Sequence, residues 1–229
     1  MNQVATLLKS IFRRPTRSAR KMKLFKPRQF EQRRSLFSLG TMSMSYWDLA
    51  EEFKARAIED LDHKPALYSI YVFPSIIMYC ATVEALINEN LAILGSQTDD
   101  QAIQDDIRSI RRGLDPYREL PARLRRAYEV LNKATQPPVT DEILQDFQAL
   151  SELRNAIIHY CPEYVDVLQW PQRLRQVLER SNAPPVEADW TITFRTKPVL
   201  LWADQTSKRL ISTFLRITNG DENRFFNKS

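Results

Sequence analysis

The sequence predicts an all-α protein, a bundle of about five to seven helices behind a basic N-terminal arm. Three observations carry that reading. The chain has four glycines against 13 prolines, so its breaks are proline breaks. Leu, Ala, Arg, Glu and Gln, all good helix formers, are abundant. Apolar residues recur at intervals of three and four over long stretches. With 229 residues and 43% apolar content, one sizeable core is expected. Two distant cysteines, Cys80 and Cys161, argue against a disulfide scaffold or a cysteine-pair zinc site, and a reducing cytoplasm is expected.

The net charge of +5 hides an asymmetry. Residues 1–34 carry eleven Lys or Arg against the single acid Glu31, a balance of +10, so the remainder sums to −5. Residues 1–40 are therefore assigned to an arm, 41–218 to the helical domain and 219–229 to a tail. Arg13, Arg14, Arg17, Arg20, Lys21 and Lys23, with Phe12, Leu24, Phe25 and Phe30 among them, could meet RNA phosphates and bases. A lipid interface, or no partner at all, fits the same composition. No apolar run of signal-peptide length follows the charges.

Helices are expected over residues 46–62, with Leu49, Phe53, Ala57, Ile58 and Leu61 inward, and over 73–94, stopping at Gly95. Residues 66–83 carry no charge, yet Ser69, Pro74, Ser75, Thr82 and three tyrosines make this a buried central helix rather than a membrane span. Shorter helices are expected over 99–112 and 120–133. Thr140 then caps a long helix, with Asp141 and Glu142 in its positive first turn, that ends before Pro162. Beyond it lie a helix over 172–180, a possible strand in "DWTITF" and a last helix over 199–217 whose Leu200, Leu201, Leu210, Phe214 and Leu215 face the core.

The long helix ends in "SELRNAIIHY". Ile143, Phe147, Leu150, Arg154 and Ile157 follow at intervals of four and three, which puts Arg154 at an apolar position. Asn155 and His159 stack one turn apart on a neighbouring face, about 140° of rotation separating His159 from Arg154. On the central helix Glu84 falls on the line of Ile77, Cys80, Ile87 and Leu91. An unpaired carboxylate there is expensive, so Glu84 is expected to pair with Arg154, either to fix helix register or to orient the guanidinium at a cleft.

At these residues the chain resembles the HEPN superfamily, whose signature is an arginine, a polar residue and then a histidine near a helix end, here Arg154, Asn155 and His159. The "ATVEALINENL" segment is similar to the acidic second-helix segment of that family, and the resemblance spans residues 45–160, leaving 163–218 as an extension. Arg56 and His63 also satisfy the spacing, but Ala57 follows that arginine and Glu59, Asp60 and Asp62 surround it.

The resemblance implies a metal-independent endoribonuclease acting as a homodimer, in the role of a toxin or an antiviral defence effector, with an antitoxin or regulatory protein as a further partner. It implies no cofactor and no metal. His159 would take the proton of a ribose 2′-hydroxyl, Arg154 would hold the scissile phosphate, and Asn155 would orient the histidine or the phosphate. Glu84 would support Arg154; the leaving-group acid would be His159 of a second copy or Tyr160. The alternative is a non-catalytic HEPN-like module that binds RNA, a nucleotide or a protein. The arginines between residues 108 and 126 could extend an RNA surface or form a solvated helix face.

Overall fold

The computed structural model describes residues 41–63, 69–112, 120–132, 140–159, 172–183, 190–217 and 222–226, all within the unit Leu39–Ser229. The basic residues proposed for RNA, Arg13, Arg14, Arg17, Arg20, Lys21 and Lys23, lie outside them, as do Tyr160 and Cys161. The described chain is helical: α1 (Thr41–His63), α2 (Val72–Gln97), α3 (Gln101–Arg112), α4 (Leu120–Asn132), α5 (Asp141–His159), α6 (Gln172–Ser181), α7 (Trp190–Thr193), α8 (Lys197–Ile217) and α9 (Glu222–Phe226).

Helix α2 is the axle of the bundle and packs against α1, α3, α4, α5 and α8. Among the described residues it is also the one helix long and apolar enough to cross a membrane. Its burial here is that of a core helix: Ile76, Tyr79, Cys80, Val83, Ile87 and Leu91 all lie inside the bundle. Burying each large apolar side chain of this kind is worth about 1.5–3 kcal/mol. Helix α1 runs antiparallel to it, since Ser43 sits at Glu89 while the Ser75 hydroxyl donates to the Ala50 carbonyl at 2.9 Å. At the head of α1 the Glu89 carboxylate accepts from the Met42 and Ser43 amides at 3.2 and 3.1 Å and from the Ser43 hydroxyl at 2.7 Å. A carboxylate from another helix thus caps the positive end of α1.

The contact at Ala50 explains why the expected inner face of α1 is rotated. Trp47, Ala50 and Ala57 are buried and Ile58 and Leu61 pack at the margin, whereas Leu49 is 41% exposed. Two alanines let the α2 backbone approach where leucine would hold it off. Helix α2 does not stop at Gly95 but continues to Gln97. Gly95 faces α3, and a Cβ there would lie 3.6 Å from the Ile107 methyl. The left-handed helix stop in the described chain is instead Asn182, with φ 52°. The Ala183 and Asn182 amides return to Leu178 and Glu179, closing α6 as a Schellman turn.

Of the "DWTITF" segment, Trp190–Thr193 is helical, not a strand. Trp190 and Phe194 alternate in sequence with polar neighbours, but they also stand four apart, and the Phe194 amide donates to the Trp190 carbonyl at 3.1 Å. Trp190, Thr191, Thr193 and Phe194 are all buried, and a lone strand there would leave backbone groups without partners. Helix α8 is placed as expected except that Leu201 points outward.

Candidate functional site

Helix α5 carries the motif, and local chemistry marks both of its ends. The Thr140 hydroxyl accepts the Ile143 amide at 3.4 Å, with Asp141 and Glu142 in the first turn and His159 in the last. Leu144, Phe147, Leu150 and Leu153 are buried beneath it. The Cys80 thiol meets the Leu150 carbonyl and Glu84 meets Arg154, so α5 runs parallel to α2.

The pair between Glu84 and Arg154 is present. The Arg154 Nη2 donates to Glu84 Oε1, and Nη1 donates to the Asn155 side-chain oxygen at 3.0 Å. The Arg154 side chain is 15% exposed and that of Glu84 41%, so the acid stands at the rim rather than on the core-facing line assigned to it. Asn155 accepts from the guanidinium and, among the described residues, makes no bond to His159, so it is placed to orient the arginine, a role different from the two expected of it. His159 lies exposed on the last turn, about 7.5 Å further along the axis than Arg154. Among the described residues it makes no hydrogen bond or ion pair.

Cys80 completes the ground beneath the arginine. Burial pushes its thiol up to about 12, Arg154 pulling it back only in part. The thiol is therefore protonated and inert at neutral pH. With Cys161→Ser in place, native protein is expected to react with a disulfide reagent only at the rate of unfolding; a fast native thiol would contradict the buried position of Cys80.

The second arginine and histidine form no comparable group. Arg56 pairs with Glu52 at 2.5 Å, and the His63 Nδ1 lies 2.9 Å from the Glu59 carbonyl. Given the opposite directions of α1 and α5 along α2, His63 and His159 fall at opposite ends of the bundle. The arginine series is neutralised where its side chains are described. Arg108 meets Asp105 at 2.8 Å, Arg126 meets Asp106 at 2.7 Å and Glu129 at 3.3 Å, and Arg125 meets Asp141. These are ion pairs of a solvated face, each worth little to stability or to binding phosphate.

Two polar clusters escaped the sequence reading. Asp146, buried on α5, is held by Arg180 of α6 and by Arg209 of α8 at 3.3 Å. Burial raises its carboxyl above the usual range against the pull of both arginines. The signal was there, since Ile143, Asp146, Leu150 and Leu153 also follow at intervals of three and four. The other cluster ties α1, α2 and α8. Lys54 bridges Glu51 at 2.6 Å and Asp204 at 3.1 Å, and the Tyr79 hydroxyl donates to Glu51 at 2.7 Å. Burial opposes the Lys54 charge, but the bond to Glu51 and the field of Asp204 outweigh it and raise its pKa. Among the described residues no three His, Cys, Asp or Glu side chains converge as metal ligands. No protein-family model, curated protein or solved structure matches the chain, so the chemistry of the site rests on its own side chains.

Proposed function

We propose that this protein is a metal-independent HEPN-type endoribonuclease, a toxin or antiviral effector whose Arg154, Asn155 and His159 act across a homodimer. One observation carries the reading. Glu84 and Asn155 hold the guanidinium in place while His159 stands exposed at the end of the same helix. An imidazole so placed can accept the 2′-hydroxyl proton as O2′ attacks phosphorus. The bond from phosphorus to the 5′-oxygen breaks, and the leaving oxygen takes a proton from His159 of the second copy. The cation at Arg154 offsets the charge gathering on the phosphate. The products are a 2′,3′-cyclic phosphate and a 5′-hydroxyl.

The half-buried state of Arg154 favours a second reading. A guanidinium 15% exposed and already facing a carboxylate fits a structural tie in a non-catalytic module that binds RNA, a nucleotide or a protein. Incubating purified protein with RNA, alongside light scattering, separates the two. Cleavage by a species of dimer mass supports the nuclease; binding without cleavage supports the module; full activity from a monomer removes the shared site.

The arm gives a further prediction. Deleting residues 1–34 removes eleven cations, so RNA affinity is expected to fall and its salt dependence to flatten, by about 0.7 in logarithmic slope for each phosphate the arm had neutralised. An unchanged slope, measured by titration at several salt concentrations, assigns the arm to another partner.

A further inference from the structure

The half-buried arginines Arg154, Arg173 and Arg180 each meet a carboxylate, from Glu84, Glu152 and Asp146. Arg195, in the turn between α7 and α8, is half-buried too, yet among the described residues no carboxylate pairs with it. Its Nε is shut off from water without a hydrogen-bond partner. A desolvated guanidinium edge of this kind is costly, and the cost is offset here by an aromatic ring. The guanidinium carbon lies 4.7 Å above the centre of Phe73. Phe73 is in turn stacked on the buried Trp190, with centroids 6.2 Å and planes 26° apart.

The rings and the backbone leave this guanidinium little freedom. The Arg195 carbonyl accepts the Ser69 amide at 3.2 Å, which ties its turn to the start of α2. Phe73 lies in the first turn of α2, a helix of 26 residues with no acid in that turn and no side-chain cap from Tyr71. The Val72 and Ser75 amides are taken by the Ser69 and Tyr71 carbonyls and Pro74 has no N–H, so the positive charge of this corner is that of the guanidinium. Two acids of α1 reach this corner and both are engaged. Asp60 accepts the Ser69 hydroxyl at 3.0 Å, and Asp62 pairs with Lys197 at 2.7 Å.

We infer that Arg195, seated on Phe73, receives a phosphate ester, either that of a free nucleotide or that of an RNA strand. A planar guanidinium backed by a ring presents its outer nitrogens edge-on to two phosphate oxygens, a geometry that an ammonium cannot reproduce. This corner is at the His63 end of the bundle, so it is separate from the Arg154 motif and does not depend on cleavage there.

The test uses the full chain carrying His159→Ala, so that no RNA probe is consumed, and titrates adenosine monophosphate and a short single-stranded oligoribonucleotide in parallel. Arg195→Met keeps an aliphatic cover over Phe73 while removing the charge; Arg195→Lys keeps the charge without the plane. Arg195→Met is expected to lose about a hundredfold in affinity, the weight of two charge-assisted hydrogen bonds, and Arg195→Lys an intermediate amount, at unchanged melting temperature. Loss with the mononucleotide as well as the strand identifies a nucleotide site; loss with the strand alone identifies an RNA phosphate. Equal affinities in parent and Arg195→Met for both probes, or no binding of either probe by the parent, overturns the inference.

Discussion

His159→Ala is expected to abolish RNA cleavage, a loss of about 10²–10⁴-fold or more, while the helical circular-dichroism signal stays unchanged. His159 is exposed on the last turn of α5, so its removal strands no buried partner. His63→Ala should keep full activity, because that residue is at the other end of the bundle. Arg154→Ala should also lose cleavage, with some stability, since Glu84 then loses its cation. The product should carry a 2′,3′-cyclic phosphate and EDTA should not inhibit. Cleavage that survives His159→Ala and disappears with EDTA would move the chemistry to carboxylates and a metal ion.

The second large effect is on stability. Arg180→Met is expected to destabilise the fold by about 3 kcal/mol, the lower end for breaking a buried pair, because Arg209 still reaches Asp146. The Asp146 side chain is only 6% exposed, so the stranded charge cannot turn to water. Adding Asp146→Asn should recover much of the loss, as a neutral amide requires no cation. Acidity works the same way. With Arg180 gone the folded-state pKa of Asp146, already raised by burial, rises further. A raised carboxyl pKa favours the folded state below the unfolded value of about 3.9 and loses that benefit as pH climbs through the folded value. The deficit of Arg180→Met against the parent should therefore grow once pH climbs through the parent's own raised Asp146 pKa, and level off above that of the variant. Denaturant unfolding at several pH values checks this, and a deficit independent of pH would assign it to poorer packing.

The elements that the sequence announced best are those whose signals are local. Thr140 with its two following acids marks the start of α5, and the three-and-four spacing marks α2, α5 and α8. The pairing of Glu84 with Arg154 was also legible, because an arginine at an apolar position of α5 calls for an acid on the helix it packs against, even though Glu84 meets it from the rim. What failed depended on how closely neighbours approach. Ala57 is buried as its spacing implied, but Ala50 is uninformative as a hydrophobe, and its burial leaves Leu49 facing out. The spacing of Trp190, Ile192 and Phe194 satisfies both periods, and only the absence of a neighbouring strand among the described residues decides it. Arg195 was invisible for the same reason: nothing in its own neighbourhood of sequence says that Phe73, 122 positions away by subtraction, lies under it.

The cap that Glu89 places on α1 has a mechanical meaning. A helix end held only by its own turn frays when the chain ahead of it is pulled. Here the first turn is fastened to the far half of α2 through three bonds to one carboxylate. Tension on the segment before Thr41, from a bound strand or a translocating machine, passes into the axle of the bundle in shear instead of peeling α1 away turn by turn. Glu89→Gln weakens the rivet without moving the helices, so unfolding by a machine that draws the chain in from the N-terminus should be faster than for the parent, while unfolding from the C-terminus should keep the parent's rate.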